Sequence, residues 1–454
     1  MMRSINPTTG EVITEFDETS PEDVLRQIEV CANLQREWAH TSVVERRELM
    51  EALAEILVIR REALAVLMAN EMGKPVAQGR SEVDKCAWVC RYYAQEAKRI
   101  LSDEHIDADK TKSYVTHRPL GVILAVMPWN FPLWQVFRFL APALMAGNAG
   151  LLKHASNVTG CAVAIDEMVV EAGFPDGLLR TLVLPASRVE EVLAHPKVVA
   201  ATLTGSDAAG RAVAARAGAL LKKTVLELGG SDPYVILKDA DLDLAVEACS
   251  TARLVNGGQS CIAAKRFIVH QDMVDEFTDK LVATMGTATI GDPLDEHVTL
   301  GPMARTDLRD ELHNQVTRSV ESGATLLLGG HIPDGPGAYY PPTVLADVTP
   351  EMAVFTEETF GPVASITAVD SEEEAIELAN DTPFGLGAAV FTTDIERGER
   401  IARDEFEAGA CFVNSFVTSD PRLPFGGIKA SGYGRELSHL GMKEFMNAKT
   451  VVIA

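Results

Sequence analysis

A single cysteine stands out in this sequence because small and flexible residues precede it. Cys261 follows Asn256–Ser260, a segment with two glycines that would let the thiol and its own backbone N–H group face a cleft. A thiol exposed in this way can add to a carbonyl carbon, whereas a thiol buried in a core is inert. Buried cysteines are the commoner case, so the residue type alone leaves both readings open. The other cysteines are predicted to be inert.

Polar side chains also follow four of the predicted strands, at the point where each strand ends. They supply an amide, a cation, a glycine turn and a carboxylate: Asn130, Lys153, Gly205–Ser206 and Glu227. Open parallel sheets bind ligands at the carboxyl ends of their strands, so we expect these groups to share one cleft. The Gly205–Ser206 turn opens a helix whose N–H groups could face a phosphate, although it is not a GxGxxG fingerprint. Phosphate-loop, HExxH and EF-hand motifs do not occur, so neither nucleotide hydrolysis nor a metal site is predicted.

The elements that must position these residues follow an alternating pattern. From residue 121 onward, short Val- and Leu-rich segments alternate with amphipathic helices, which is typical of βαβ units around a parallel sheet. The alternation restarts at Tyr234, which predicts an α/β protein with two such domains and a boundary near Gly229–Gly230. The final Thr450–Ala454 is an apolar strand without an evident partner in its own chain, so it is predicted to join another subunit's sheet.

The boundaries of several elements can be predicted from turn and capping residues. Ser42 and Glu45 form a capping box at the start of a helix. Gly73 and Pro75 separate two further helices, because a left-handed glycine and then a proline end the first of them. The predicted elements include helices over 61–72, 76–100 and 134–146 and strands at Val122–Met127 and Thr181–Leu184.

The composition limits the classes of partner. The chain has 454 residues, which suggests two or three domains, and its 65 acidic and 41 basic side chains give a formal net charge of −24. Such an acidic surface disfavours binding to nucleic acid and to anionic lipid. The N-terminus lacks an apolar signal core, and the longest apolar runs are too short to cross a bilayer. An odd number of scattered cysteines indicates free thiols, so we expect a cytoplasmic protein.

Five motifs in order identify a family. Over essentially its full length the chain resembles the aldehyde dehydrogenase superfamily, and within it the bacterial succinate-semialdehyde dehydrogenases of the shorter type. The resemblance implies a Rossmann-type cofactor domain, a second α/β catalytic domain and a small oligomerisation arm. The motifs are Met127–Pro132, Leu226–Gly230, Gly258–Cys261, Glu357–Val363, and Pro424–Gly427 with Ser431–Glu436.

The resemblance also implies roles for individual residues. Cys261 matches the nucleophile, Glu227 the general base and Asn130 the amide of the oxyanion hole, and Lys153 belongs to the same site. Lys153 and Ser156 match contacts to the adenosine ribose, and Glu358 matches the contact to the nicotinamide ribose. The implied cofactor contacts are Trp129, Asn130, Lys153, His154, Ala155, Ser156, Gly205, Ser206, Leu228, Glu358 and Phe360.

Departures from the family pattern bear on cofactor and substrate. Many relatives that prefer NAD carry Glu at the position of Ser156, so NADP is the favoured cofactor and NAD the alternative. Arg138 matches one of two arginines that grip the carboxylate of succinate semialdehyde, but Val255 stands at the position of the second. Ser419 or Arg422 could supply the contact to the substrate carboxylate that is missing at Val255.

Three alternatives to the oxidation of succinate semialdehyde remain open at this point. The substrate could be another aliphatic or acidic aldehyde, or the protein could be a thiol esterase without a cofactor, or a binding protein descended from the enzyme.

The family assembles as homodimers or homotetramers. The predicted domains are a dinucleotide-binding domain (1–100 and 120–229), a catalytic domain (230–429) and an oligomerisation arm and tail (101–119 and 430–454).

Overall fold

The computed structural model describes residues 1–454, which form fifteen α-helices and eighteen strands in four sheets. The strands are β1 (Met2–Ile5), β2 (Val12–Phe16), β3 (Glu104–His105), β4 (Lys112–Pro119), β5 (Val122–Met127), β6 (Ala149–His154), β7 (Leu179–Thr181), β8 (Val198–Thr204), β9 (Lys223–Glu227), β10 (Asp232–Ile236), β11 (Ala264–His270), β12 (Thr325–Leu328), β13 (Thr343–Ala346), β14 (Val363–Val369), β15 (Gly387–Phe391), β16 (Ala410–Val413), β17 (Gly432–Tyr433) and β18 (Met446–Ile453). The helices are α1 (Pro21–Trp38), α2 (Val43–Ile59), α3 (Arg61–Met72), α4 (Val76–Ile100), α5 (Trp134–Ala146), α6 (Thr159–Glu171), α7 (Val189–Ala194), α8 (Asp207–Ala219), α9 (Leu242–Leu254), α10 (Gln271–Met285), α11 (Thr306–Glu321), α12 (Ala353–Thr356), α13 (Glu372–Asn380), α14 (Ile395–Arg400) and α15 (Ser438–Glu444).

The first large sheet has six strands in the order β17-β9-β8-β5-β6-β7. The five strands from β9 to β7 are mutually parallel, and β17 pairs antiparallel with β9. The chain builds outward from β5 through β6 to β7 and then returns to β8 on the other side of β5. The strand order therefore reverses between β5 and β8, and ligands of open α/β sheets bind outside such a switch point. Asn130 and Gly205 follow these two strands.

The second large sheet has seven strands in the order β12-β13-β14-β11-β10-β15-β16. All neighbouring pairs are parallel except β12 with β13. The chain passes from the first sheet to the second between Glu227 and Asp232. Cys261 lies just before β11, a central strand of this second sheet. The functional loops therefore come from the carboxyl ends of the strands of the first sheet and from the amino end of β11 in the second.

The prediction that the C-terminal strand has no partner in its own chain is wrong. β18 pairs antiparallel with β4 over its whole length, from Met446 opposite Pro119 to Ile453 opposite Lys112. β4 escaped the residue-level reading because it is mostly polar, and its adjacent Tyr114 and Val115 are too few to form a continuous apolar run. β18 remains at one edge of the small sheet β18-β4-β3.

The predicted helix boundaries in the N-terminal third are confirmed. Ser42 N donates to Glu45 Oε2 at 2.9 Å and Glu45 N donates to Ser42 Oγ at 3.2 Å, which completes the capping box. α3 ends at Gly73, whose φ of 77° is left-handed. The strand predicted at Thr181–Leu184 lies earlier, at Leu179–Thr181, because the following residues leave the sheet edge. None of the helices has the length and apolar character needed to cross a membrane.

Candidate functional site

The loop that carries Cys261 has an unusual backbone. Asn256, Gly257 and Gly258 follow α9 with φ values of 55°, 62° and 72°, a run of left-handed residues that favours glycine. A Cβ atom on Gly258 would lie 2.3 Å from the carbonyl oxygen of Gly361, so only glycine can occupy this position without a shift of backbone. The small residues before Cys261 are therefore needed for the path of the chain.

Hydrogen bonds from buried side chains fix this loop. Asn256 Nδ2 donates to the backbone oxygens of Asn130 at 2.7 Å and Gln259 at 3.0 Å. Lys265, which is fully buried, donates from Nζ to the backbone oxygen of Cys261 at 2.7 Å and to that of Ser260 at 3.1 Å. These contacts hold the backbone of Cys261 independently of its side chain. The sequence did not predict Asn256 or Lys265 as positioning residues, although both lie within five residues of Cys261.

Two cavities meet at Cys261. The first cavity has a volume of about 450 Å³ and the second about 290 Å³, and both are lined by Cys261 and Gln135. The first cavity is also lined by Pro128, Trp129, Asn130, Thr204, Gly205, Ser206, Leu228, Gly229, Arg305, Leu308, Glu311, Leu312, Gln315, Glu358 and Phe360. Polar and charged residues of the second cavity include Lys74, Gln78, Glu82, Lys85, Arg138, Ser419 and Asn256. The thiol can therefore react with a molecule in one cavity while a second molecule occupies the other.

The first cavity brings together most of the predicted cofactor contacts. Trp129 and Phe360 meet edge to face, with ring centroids 5.7 Å apart. Ser206 caps α8 by accepting from Ala209 N at 3.4 Å, so the positive end of this helix opens at the cavity. Leu228 lies against Gly210, where a Cβ atom would come within 2.5 Å of its Cδ2.

Glu358, which lines the first cavity, is held in place by its neighbours. Its Oε1 accepts a hydrogen bond from Gly230 N at 2.9 Å and lies 3.6 Å from Lys265 Nζ. Burial raises the pKa of Glu358, while Lys265 opposes that rise. The carboxylate is thus oriented by the protein and can accept further hydrogen bonds from hydroxyl groups in the cavity.

Asn130 lies beside the cysteine loop. Its Nδ2 donates to the backbone oxygen of Gln259 at 3.1 Å, and its Oδ1 has no hydrogen-bond partner. The residue is 4% exposed. A primary amide carries two N–H donors, and only one of them is used here. The second donor is available to an oxygen atom that develops negative charge next to Cys261.

Glu227 is a buried carboxylate without hydrogen-bond partners. It is 2% exposed, and neither of its side-chain oxygens accepts a hydrogen bond. Burial raises its pKa well above the usual range; Arg138 opposes this rise and Glu436 adds to it. A Cβ atom on Gly426 would lie 2.6 Å from Glu227 Oε1, so the glycine leaves room for the carboxylate. A carboxylate in such a site is a stronger base than one in water.

The thiol of Cys261 is protonated in the free protein. Burial raises its pKa to about 12, and the positive charges of Arg138 and Lys265 reduce that effect. Because the thiolate is the nucleophilic form, the thiol has to lose its proton when it reacts. Glu227, with its raised pKa, is the carboxylate suited to take a proton from water in a later step.

The other predicted cofactor contacts lie at the end of β6 (Lys153 and His154) and directly after it (Ala155 and Ser156), outside the lining of the first cavity. Lys153 is 8% exposed, burial lowers its pKa, and no carboxylate neutralises its ammonium group. His154 Nε2 lies 2.8 Å from the backbone oxygen of Pro132, and its Nδ1 accepts from Ala155 N at 2.9 Å. Burial lowers the pKa of His154 to about 4, so the ring is neutral and structural. Ser156 is exposed at the start of a short 3₁₀ turn.

The three predicted substrate contacts have different environments. Arg138 and Ser419 line the second cavity. The guanidinium of Arg138 forms a buried ion pair with Glu436, and its Cζ atom lies 4.5 Å from the ring centroid of Phe425. Arg422 lines neither cavity; its side chain is 67% exposed and pairs with Asp420 at 2.6 Å. The expectation that Arg422 compensates for Val255 is therefore not supported, because its charge is already used at the surface. Glu436 belongs to a quoted motif, but no role was predicted for it.

Comparisons with known proteins agree on one family. The model of the family described as "Aldehyde dehydrogenase family" matches residues 1–451. The chain is 49% identical over 451 residues to a probable succinate-semialdehyde dehydrogenase (NADP+) of Synechocystis sp., covering 99% of both chains. It is 50% identical over 454 residues to a succinate-semialdehyde dehydrogenase (NADP+) of Mycobacterium avium, covering 99% of this chain and 96% of the relative.

Solved structures give the same result. The crystal structure of succinic semialdehyde dehydrogenase from Streptococcus pyogenes, in complex with NADP+ as the cofactor, matches with a TM-score of 0.97 and 39% identity, covering 100% of both chains. The crystal structure of succinate-semialdehyde dehydrogenase from Burkholderia pseudomallei matches with a TM-score of 0.97 and 33% identity, covering 100% of this chain and 94% of the other. The similarity thus extends over the whole chain and both large sheets.

Proposed function

The chain belongs to the aldehyde dehydrogenase family, and on that basis we propose that it oxidises succinate semialdehyde to succinate with NADP+ as the electron acceptor. The observation that carries this proposal is the position of Cys261 where two cavities meet. One cavity has the lining that a dinucleotide needs, and the other has a cationic lining that suits an acidic aldehyde. The names of the relatives in Synechocystis and Mycobacterium avium point to the same substrate and cofactor.

The residues of the first cavity, together with Lys153 at the end of β6 and Ser156 after it, fit a dinucleotide. The amino end of α8 offers the N–H group of Ser206 to a pyrophosphate, whereas that of Gly205 donates to the backbone oxygen of Glu227 at 3.0 Å. Glu358 offers a carboxylate to ribose hydroxyls. Lys153 supplies a cation with no partner in the protein, and Ser156 leaves space for a 2′-phosphate without repelling it. Trp129, Phe360 and Leu228 provide apolar surfaces for the nicotinamide end.

The protein's own residues carry the remaining chemistry. Cys261 Sγ adds to the aldehyde carbon while its proton passes to solvent water, and the new oxyanion accepts hydrogen bonds from Asn130 Nδ2 and from the Cys261 backbone N–H. Bound NADP+ supplies the acceptor for the hydride. Cys261 then holds the acyl group as a thioester, and Glu227 takes a proton from the water that releases the acid.

The division of the chain and its assembly are part of the proposal. We assign cofactor binding to 1–100 and 120–229, catalysis to 230–429, and oligomerisation to 101–119 and 430–454, as a homodimer or homotetramer in the cytoplasm. The free outer edge of β18, with Val452 and Ile453 about half exposed, supports contact with another subunit. Within the tail, β17 is an exception because it pairs with β9 of the first sheet.

A matrix of initial rates tests the proposed function. We expect kcat/KM for succinate semialdehyde with NADP+ to exceed that for pentanal, an uncharged aldehyde of similar length, by on the order of 100-fold, the value of one or two charge-assisted hydrogen bonds. Both aldehydes are measured with NADP+ and with NAD+ by the absorbance of the reduced nicotinamide. Equal values for the two aldehydes would favour the alternative of a general aliphatic aldehyde, which Val255 in the second cavity makes plausible. Ester hydrolysis without any reduced nicotinamide would instead indicate a cofactor-independent esterase.

Substitution of Ser156 by glutamate tests the cofactor preference. We expect S156E to lower kcat/KM for NADP+ by on the order of 10-fold or more and to change that for NAD+ by less than about 3-fold, because a carboxylate repels the 2′-phosphate and accepts ribose hydroxyls. Ser187→Glu adds the same charge at an exposed residue of another 3₁₀ turn, Ala186–Arg188, and serves as the control. Equal losses with both cofactors in S156E would show that Ser156 does not face the 2′-position.

A further inference from the structure

The second cavity contains an excess of positive charge, most of which the protein neutralises itself. Lys74 and Glu82 form a buried ion pair, and Glu82 Oε1 also accepts from the N–H groups of Leu133 and Trp134 at 2.9 Å. Arg138, the other cation of this lining besides Lys74 and Lys85, is paired with Glu436. Neither Lys74 nor Arg138 therefore needs a further anion, and Glu82 has no free charge to offer.

Lys85 is the exception among the cations of this cavity. It extends from α4, and its Nζ donates to Ser419 Oγ at 2.8 Å and lies 4.5 Å from the ring centroid of Trp134. No carboxylate forms an ion pair with it, because nearby Asp420 is paired with Arg422. A cation that is partly buried without an anionic partner is unfavourable, so the site is suited to an anion that arrives from solution.

We propose that Lys85, together with the hydroxyl of Ser419, binds the distal carboxylate of the aldehyde substrate. This inference rests on the proposed function and names the residues that select an acidic substrate. Lys85 and Cys261 line the same cavity, so a short chain can place its carbonyl carbon at the thiol and its carboxylate at the ammonium group. Lys85 supplies the charge that an arginine at the position of Val255 would otherwise provide.

The same geometry gives Arg138 a different role from the one predicted for it. Its charge is bound by Glu436, and it acts on the two reacting side chains by lowering the pKa of Glu227 and of Cys261. Arg138 is therefore a positioning residue of the reacting centre, which serves charged and uncharged aldehydes alike. Lys85 makes no contact with the reacting atoms in the structure and should matter only for substrates with a carboxylate.

Comparison of two aldehydes in Lys85→Met tests the proposal. Methionine keeps an apolar stem of similar length but removes the charge, so we expect kcat/KM for succinate semialdehyde to fall by about 10- to 100-fold and that for pentanal to stay within about 2-fold. Lys98→Met, on the exposed part of the same helix, is the matched control and should change neither value. Arg138→Met should lower both values together. Lys85→Arg should keep a measurable part of the preference, because it keeps the charge.

The outcomes separate the proposal from the proposed function. If wild-type protein prefers succinate semialdehyde and K85M keeps that preference, the assignment of Lys85 is wrong and the proposed function stands. If K85M loses activity with both aldehydes equally, Lys85 is only structural and the assignment is again wrong. If the wild-type protein shows no preference, the proposed function fails and the assignment falls with it. Melting temperature and NADP+ affinity, measured on every variant, show whether each one is folded.

A pH profile gives a second readout. Burial and the positive charge of Arg138 on α5 lower the pKa of Lys85 to about 8, while Cys86 and Glu82 on α4 and Asp420 from the loop between β16 and β17 oppose that shift. The ammonium form binds the carboxylate, so KM for succinate semialdehyde should rise as pH increases through about 8, relative to KM for pentanal. In K85R this relative rise should be absent, because arginine stays charged. A flat ratio in the wild-type protein would contradict the assignment.

Discussion

Replacement of Cys261 by alanine should abolish aldehyde oxidation while the protein keeps its fold and its affinity for NADP+. No other thiol lines either cavity, and removal of the nucleophile from a covalent catalyst typically lowers kcat by on the order of 10⁴-fold or more. The backbone of the loop is held by Lys265 and Asn256 through main-chain oxygens, so loss of the Sγ atom leaves the loop in place. The other donors of the first cavity remain as well.

Two measurements and one control are needed for this variant. Reduced nicotinamide is followed by absorbance, and NADP+ binding is followed by the quenching of protein fluorescence. Cys411→Ala is the matched control, because Cys411 is also a partly buried free thiol but lies on β16, away from both cavities. We expect the control to retain wild-type rates. Turnover in C261A above a small fraction of the wild-type rate would contradict the assignment of the nucleophile.

Much of the fold and of the reacting centre could be predicted because the evidence for it is local in the sequence. The strand at Val122–Met127 and the helix at 134–146 are confirmed, since continuous apolar runs and helical periodicity depend on nearby residues only. Cys261, Glu227 and Asn130 lie in long motifs. The structure brings Cys261 and Asn130 to one cavity, and Glu227 is buried at the end of β9. The β4–β18 pair was missed because its pairing joins distant segments.

The environments of the charged residues could not be predicted, since they depend on partners that are far apart in the chain. Nothing in α4 distinguishes Lys85 from Lys98, yet one lines the second cavity and the other is exposed. Arg138 was predicted from a motif position, but only the fold shows that Glu436 already neutralises it. Arg422 was a reasonable candidate until the structure placed Asp420 against its guanidinium group.

The net charge of −24 can now be compared with the charges at the site. An acidic surface repels both an anionic dinucleotide and an anionic aldehyde at low ionic strength, and salt screens that repulsion. The proposed site opposes it with two cations that have no carboxylate partner, Lys153 for the cofactor and Lys85 for the substrate. KM values for both ligands should therefore be governed by a few local charges, while the overall charge serves solubility.

Replacement of Glu227 by glutamine should stop turnover at the thioester stage. A positioned general base contributes about 10²- to 10⁴-fold, so we expect the steady-state rate to fall by that factor while the first turnover still releases reduced nicotinamide. The trapped acyl group is detected as a mass increase of one succinyl group on the protein. Glu321→Gln, an exposed carboxylate at the end of α11, is the control and should leave the rate unchanged. A wild-type rate in E227Q would show that another group activates the water.

The same substitution should change the pH dependence and raise the stability. Because burial raises the pKa of Glu227, the base is active only after it loses its proton. The wild-type rate should therefore rise with pH through that pKa, and E227Q should lose this rise.

A carboxyl group whose pKa is higher in the folded state than in the unfolded state binds its proton more tightly when folded. The free energy of unfolding therefore falls as pH increases from the unfolded-state pKa to the folded-state pKa. Glutamine removes this penalty, and E227Q should melt at a higher temperature than the wild-type protein near pH 8, with the difference vanishing in acid. A lower melting temperature at pH 8 would mean that the carboxylate is stabilised in the folded protein, which would contradict a base held without partners in a dry site. The proposed base is thus expected to cost stability in the protonation state that catalysis requires.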